Sequence, residues 1–430
     1  MGISLLRAVA VAAFGFSLLE PVLAISPVFN YGEDEVRGVN LGGWLVLEPW
    51  ITPSLFENTG ELHFVRCCMT SLQIFTLGIS AIVDEWTFCE YQDTNTARKA
   101  LTEHWNTWIT ESDFIDIAAA GLNHVRIPIG YWAFNVTEDE PYIQGQVHYL
   151  RKALRWAAAH GLQVIVDLHG VPGSQNGFDN SGRRLPYPGW HSNHSNVVRS
   201  NEILHEMARL FGGSAAIIEP LNEPAGFYGN DVLQVVKQYW EDSYGAIRSI
   251  PGTNAVALIH DAFQDLDYWK DFMRREDNYD GVAMDTHIYQ MFSSEEVARS
   301  DDEHIAAACQ KRSSLSSFHL LTIVGEWTAA PTDCAKYLNG RGVGARYDGT
   351  HPNSNRVGDC GCKTGSALSF SPEYKVFLRK YWEAQVITYR NWIHWTWKAE
   401  SADDWSYQAG LVGGWIPRNA TERLYPSICG

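Results

Sequence analysis

Two glutamates stand where a hydrolytic pair could act: Glu223 in Leu221-Asn222-Glu223-Pro224 and Glu326 in Val324-Gly325-Glu326-Trp327. Each closes a short apolar run, and about a hundred residues separate them, so only a fold could unite them. Breaking a glycosidic bond needs a protonated carboxyl on the leaving oxygen and, when configuration is retained, a carboxylate at the anomeric carbon. An Asn beside the acid can hold a sugar 2-hydroxyl, a contact that tightens in the transition state, and Asn222 is so placed. Arg126, in Val125-Arg126-Ile127-Pro128, is a cation among apolar residues. Pointing into the same mouth, it would keep Glu326 ionised. A structural salt bridge at the rim is the plainer alternative for it.

His169 in Asp167-Leu168-His169-Gly170 and His287 in Asp285-Thr286-His287-Ile288-Tyr289 could, with a glutamate, suggest zinc. No HExxH supports that, and histidines serve sugar hydroxyls equally well, so neither metal nor cofactor is expected. The residues His191-Ser192-Asn193-His194 read as loop surface. Gly340-Arg341-Gly342-Val343-Gly344-Ala345 satisfies a loose nucleotide pattern but follows no strand, which makes it a loop. No G-x-S-x-G occurs, so a serine hydrolase gains no support. Aromatic rings lie at or shortly after several of the same run ends: Phe178, Phe263, Phe292, Trp395 and Trp397. Trp397 is the best candidate for a platform under a sugar ring, and Trp395 reads as core.

The elements that must position these residues are eight apolar, often β-branched runs at 36–41, 124–129, 163–168, 216–221, 255–260, 282–286, 321–325 and 392–396. Amphipathic helical stretches lie between several of them, such as 110–120 before Gly121 and 150–160 before Gly161, each ending on a glycine cap. Eight such runs alternating with helices predict an α/β fold, a closed parallel (β/α)8 TIM barrel with a single catalytic domain. A doubly wound open sheet would announce itself by a phosphate-binding glycine loop after the first strand, and none is there. Every run carries a polar or aromatic residue at or near its end: Asn40, Arg126, His169, Asn222 with Glu223, Asp261, His287 with Tyr289, Glu326 and Trp397. In a barrel that rim is where catalysis happens. One oddity is Pro220, which would remove a ladder donor from the fourth strand.

Charge narrows the function classes. In 430 residues there are 33 Lys+Arg against 50 Asp+Glu, a net −17, which excludes a nucleic-acid or anionic-membrane partner. Residues 1–24 have a basic Arg7, an apolar 8–19 and a small-residue end at Val22-Leu23-Ala24, the pattern of a signal peptide. The catalytic domain is then 25–430. No hydrophobic tail closes the C-terminus. Eight cysteines without paired CxxC motifs suit disulfides rather than a zinc ribbon. Sequons at Asn135, Asn193 and Asn419 agree with export. The expectation is a soluble, secreted monomer, located outside the cell or in the cell wall.

The segment from Arg37-Gly38-Val39-Asn40 to Glu48-Pro49-Trp50 resembles the opening of fungal exo-1,3-β-glucanases of glycoside hydrolase family 5. So do Asp167-Leu168-His169-Gly170, Gly173-Ser174-Gln175-Asn176-Gly177-Phe178-Asp179-Asn180, Leu221-Asn222-Glu223-Pro224, Gly325-Glu326-Trp327 and the stretch from Asp333-Cys334 to Leu338-Asn339-Gly340. The resemblance implies a retaining exo-hydrolase that releases glucose from non-reducing ends of β-1,3-glucan in the fungal cell wall. It makes Glu223 the acid/base and Glu326 the nucleophile. Glu48, Arg126, His169, Asn222, His287, Tyr289 and Trp397 would line the terminal-glucose subsite. Phe178 and Phe292 would clamp the next sugar, with Asp179, Asn180 and Asn339 nearby. It also implies disulfides Cys309–Cys429 and Cys334–Cys360. An endo-β-1,4-glucanase or another β-glucosidase on the same barrel, and an inactive wall-glucan-binding protein, are the alternatives.

The resemblance breaks at 60–80, where vicinal Cys67 and Cys68 precede a mostly apolar stretch with almost no charge. That composition is odd for a surface loop. The segment reads either as a lineage-specific loop or as a translated intron, because Gly60-Glu61-Leu62 can be encoded by GGT GAG TTN, which contains a common splice-donor string.

Overall fold

The computed structural model describes residues 29–59 and 81–430. The expected signal peptide at 1–24 and the segment 60–80 lie outside the described residues. Eight strands form the barrel: β1 (Arg37–Asn40), β2 (His124–Gly130), β3 (Gln163–Gly170), β4 (Ile217–Glu219), β5 (Val256–His260), β6 (Val282–His287), β7 (Leu321–Glu326) and β8 (Trp392–His394). They pair in chain order, all parallel, and β1 closes on β8 through Arg37 opposite Trp392. Each expected run becomes a strand. Four are shorter than their apolar runs, β1 and β5 by a residue or two, while β8 stops at His394 and β4 stops at Glu219, one residue before Pro220. The proline therefore removes no ladder donor, and its carbonyl accepts the Tyr239 hydroxyl at 3.2 Å.

The connecting helices follow their caps. Glu111–Ala119 begins on Thr110, which shares a capping box with Asp113, and ends before Gly121 at φ +76°. Gln146–Ala159 starts one turn earlier than its periodicity indicates and ends before Gly161 at φ +72°. Nothing crowds a Cβ at Gly161, so glycine is favoured there by its left-handed backbone alone.

Strand alternation sorts the core into two layers. Val125, Ile127, Val164, Val166 and Ile218 pack outward among the helices. Ile165, Ile217, Leu258, Ala283, Ile323 and Ile393 fill the barrel's interior. Two residues further along the same strands, the inward positions turn polar: Asp167, Glu219, His260, Asp285 and, on β2, Arg126, all fully buried. Among the described residues the disulfides are Cys309–Cys429 and Cys334–Cys360. Of the pair Cys360 and Cys362, the second is a free, exposed thiol, and Cys89 is free and buried. Among the described residues no helix is long and apolar enough to cross a membrane.

Candidate active site

The polar interior layer ends in the two carboxylates. Glu326 closes β7, where the β6–β7 register shifts between Thr286 and His287. That irregularity sets His287 opposite Glu326 and turns both toward the mouth. Gly325 is required beside it, since a Cβ there would sit 2.3 Å from the Asp285 carboxyl oxygens, and its N–H donates to Asp285 at 2.8 Å. Glu223 follows β4 with φ +47°, a left-handed conformation that costs a glutamate about 1–3 kcal/mol. Gln175 holds the chain on both sides of it. Its side-chain amide donates to the Asn222 carbonyl at 2.9 Å, and its own carbonyl accepts Ala225 N–H at 3.1 Å.

Arg126 binds the layer together. Its guanidinium donates twice to Glu219 (2.7 and 3.0 Å), to Glu326 Oε1 (3.0 Å), to Asn40 Oδ1 (3.0 Å) and to Asn222 Oδ1 (2.8 Å), with Asp167 at 3.1 Å. Tyr289 donates its hydroxyl to the other Glu326 oxygen at 2.9 Å. On Glu223, Oε2 accepts from Asn180 at 3.1 Å. His287 Nδ1 lies 2.7 Å from Glu223 Oε1 and 3.5 Å from Glu326 Oε2. One imidazole nitrogen thus stands between the two carboxylates and links them.

The family model for Cellulase (glycosyl hydrolase family 5) matches residues 84–339. The "Glucan 1,3-beta-glucosidase" of Blumeria graminis is 44% identical over 432 residues, covering 98% of this chain and 96% of that one. The chain belongs to glycosyl hydrolase family 5. The "Probable glucan 1,3-beta-glucosidase A" of Aspergillus niger is 43% identical, with 94% and 92% covered. Among solved structures, the rutinosidase from Aspergillus niger superposes with a TM-score of 0.65 over 90% of this chain and 99% of that one, at 20% identity. That likeness concerns the fold.

In this family 5 barrel a cavity of about 750 Å³ opens above the pair. Glu48, Phe178, Asp179, Asn180, Tyr289, Phe292 and Asn339 line it together with Glu223 and Glu326. Arg126, His169 and Asn222 sit buried behind that lining, and the His287 side chain is covered beside them, all bonded into the layer. Asn339 is held by Asp333 and Arg346. Trp397 is a correction. Its indole N–H donates to Asp113 on Glu111–Ala119 at 2.9 Å and its ring stacks on Tyr407, so it packs away from the cavity. Trp395 takes the lining position instead, parallel to the His169 ring at 5.7 Å. Trp395 keeps the inward parity of Ile393, and the chain turns after β8 so that Trp397, two residues further on, does not.

Several buried atoms have no hydrogen-bond partner among the described residues: Glu48 Oε1, Asn222 Nδ2 and His169 Nε2. A polyhydroxylated ligand is the kind that satisfies such atoms. Glu48 Oε2 accepts the Trp50 indole N–H at 3.0 Å, and His169 Nδ1 is 2.6 Å from Asp167. Glu223, His260 and His287 each bring one donor atom within 4.8 Å of the others, as do Glu219, Asp285 and His287. In the second set Glu219 is already paired with Arg126, whose charge would repel a cation there, and Asp285 lies 3.4 Å from His287.

Electrostatically, His287 decides the pair. Burial alone would strip its proton, but Glu326, Asp285 and Glu223 hold its affinity well above the ordinary imidazole value. Burial raises Glu223 too, yet the hydrogen bond and charge of His287 bring it below the usual carboxylate value. Glu326 is raised, by burial first and then by Glu223, beyond what His287 and Arg126 take back. Arg126 thus acts on Glu326 in the expected direction and is outweighed. Asp179 is raised to about 7 by burial and by Asp84. Glu48 is raised well above its usual value by burial and by Glu326.

The polar positions that the rim pattern did not single out are Asp167, Glu219, Asp285, His260 and Gln175. The first four share a signal that was present: each falls on the inward parity of its strand, and they pair in register, Asp167 with Glu219 and His260 with Asp285. Gln175 has no such signal, because its role depends on a loop meeting the strand end.

Proposed function

We propose that the protein is a retaining exo-hydrolase that releases glucose from the non-reducing ends of β-1,3-glucan in the fungal cell wall, acting outside the cell. Glu223 is its acid/base and Glu326 its nucleophile. The observation that carries this reading is the single His287 nitrogen within 2.7 Å of one carboxylate and 3.5 Å of the other. The names of the fungal relatives support the substrate.

On this reading Arg126 and Tyr289 each hold one side of the Glu326 carboxylate and aim it at the anomeric carbon. The acid must carry a proton, which in the free enzyme rests on His287, one hydrogen bond away. Substrate entry draws that proton across to Glu223, which passes it to the glycosidic oxygen. The bond from that oxygen to the anomeric carbon breaks as Glu326 bonds to the carbon from the opposite face. Water then attacks the same carbon, gives its proton to Glu223 and frees Glu326. Asn222, its carbonyl oxygen fixed by Arg126, keeps its amide donors for the 2-hydroxyl. Glu48, Asp179 and Asn339 bind other hydroxyls, and Phe178 and Phe292 flank the second sugar.

The test is the product of laminarin hydrolysis followed by NMR. β-Glucose as the first and sole early product supports the reading. α-Glucose, a ladder of oligomers, or preference for carboxymethyl-cellulose would each overturn it.

A further inference from the structure

Beyond Phe178 the rim carries more aromatic surface than one clamp requires. Phe227 is 52% exposed, Tyr228 43% and Tyr187 72%. Their rings form one chain: Phe178 stacks on Phe227 with 20° between planes and 6.4 Å between centroids, Phe227 meets Tyr228 at 4.9 Å, and Tyr228 meets Tyr187 at 5.8 Å. Phe263 joins the side of Phe227 at 5.4 Å. Phe227, Tyr228 and Phe263 line the same cavity as the two carboxylates, and Tyr187 continues the chain outside it. A contiguous patch of exposed rings gains nothing for folding and marks a binding surface.

The backbone beneath the patch is built to hold it. Gly226–Tyr228 forms a single 3-10 turn only three residues past Glu223. A Cβ on Gly226 would come 2.5 Å from the Ala262 carbonyl oxygen, so this turn can press onto the following loop only with glycine there. On that loop Ala262 and Phe263 both take left-handed conformations, at φ +54° and +59°. Non-glycine residues in that region are costly and cluster at ligand-binding features. Phe227 and Phe263 are thereby fixed relative to Glu223.

The geometry points to a further aglycone subsite: Phe227 and Tyr228, extended by Tyr187, stack the third and later glucosyl units of the departing β-1,3-glucan chain and set a preference for longer chains. This rests on the proposed reading of the active site. β-Glucosyl rings fit because their hydroxyls are equatorial, which leaves both ring faces lined with C–H groups suited to aromatic faces. Continuity with the catalytic cavity fixes the occupant, since a chain whose first units lie between Glu223 and Phe178 leaves along these rings. The tyrosine hydroxyls at the outer end meet the polar edges of the sugars.

The experiment compares kcat/KM for laminaripentaose and laminaribiose in wild type, in the double variant Phe227→Ala/Tyr228→Ala, and in the conservative double variant Phe227→Tyr/Tyr228→Phe. Wild type should favour the pentasaccharide. The alanine variant should lose that preference by roughly tenfold in the ratio, about the worth of one or two ring contacts. The conservative variant, which keeps both ring faces, should retain it. An unchanged ratio in the alanine variant, or a wild type indifferent to length, overturns the subsite while hydrolysis of both sugars leaves the proposed function standing. Failure of wild type to cleave either sugar overturns both.

Discussion

Inside the barrel mouth, Arg126, Asp167, Glu219 and Asp285 are fully buried on adjacent inward positions, and Arg126 joins Glu219, Asn222 and Glu326 by direct hydrogen bonds. At the rim, Phe178, Phe227, Phe263 and Phe292 each show more than a third of their surface to water. The interior stakes everything on completeness, because a buried charge that loses its partner costs several kcal/mol. The rim stakes little, because an exposed ring can be removed without leaving an unsatisfied group. The difference separates two tasks: strands hold the reacting carboxylates rigid, and loops present interchangeable surface to a long substrate. Replacements inside should therefore act on every substrate, and replacements at the rim on long ones.

The largest effect is expected at the centre of the interior. Glu326→Ala should lower kcat on aryl β-glucosides by about 10⁴-fold or more, as loss of a covalent nucleophile does elsewhere. Azide should restore turnover by forming the α-glucosyl azide. Recovery of the β-azide instead would move the nucleophile's role to another residue.

A smaller effect sharpens the account of His287. In the folded protein it lowers Glu223 and offsets part of the rise in Glu326. His287→Gln removes a cation from beside both, so both carboxyls should hold their protons to higher pH. The acid limb of kcat/KM, set by ionisation of Glu326, should then move up, while the alkaline limb, set in the wild type by loss of the proton held on His287, becomes that of Glu223 itself, with a fall of about 10²-fold at the optimum. An acid limb that stays in place would show that His287 is neutral.

The smallest effect belongs to the rim. Phe292→Ala should reduce laminarin hydrolysis roughly tenfold more than aryl β-glucoside hydrolysis, the scale of one lost ring contact. Equal losses on the two substrates would make Phe292 a packing residue and erase the contrast between rim and interior.

Much of the barrel was legible in advance because parallel strands buried on both faces must be apolar throughout, and eight such runs are hard to mistake. Their polar ends showed where the rim would be. Pro220 looked like a defect only because the apolar run continues past the end of the strand, and hydrophobicity cannot distinguish a buried strand residue from a buried loop residue. Trp395 and Trp397 were exchanged for a related reason: which of two nearby indoles faces a cavity depends on the turn after β8 and on Asp113 from a distant helix.

Residue types and their order alone determined the strand succession, the polar rim and the pairing of Asn222 with Glu223, since each follows from local pattern. Tertiary structure decided how the charges share their protons. Glu223 and Glu326 differ because one imidazole, delivered by a register shift between β6 and β7, lies closer to the first, and Arg126 carries three acidic neighbours from β3, β4 and β7. Those distances arise when the barrel closes, and electrostatic energy in a buried site depends on distance far more than on which residues are present.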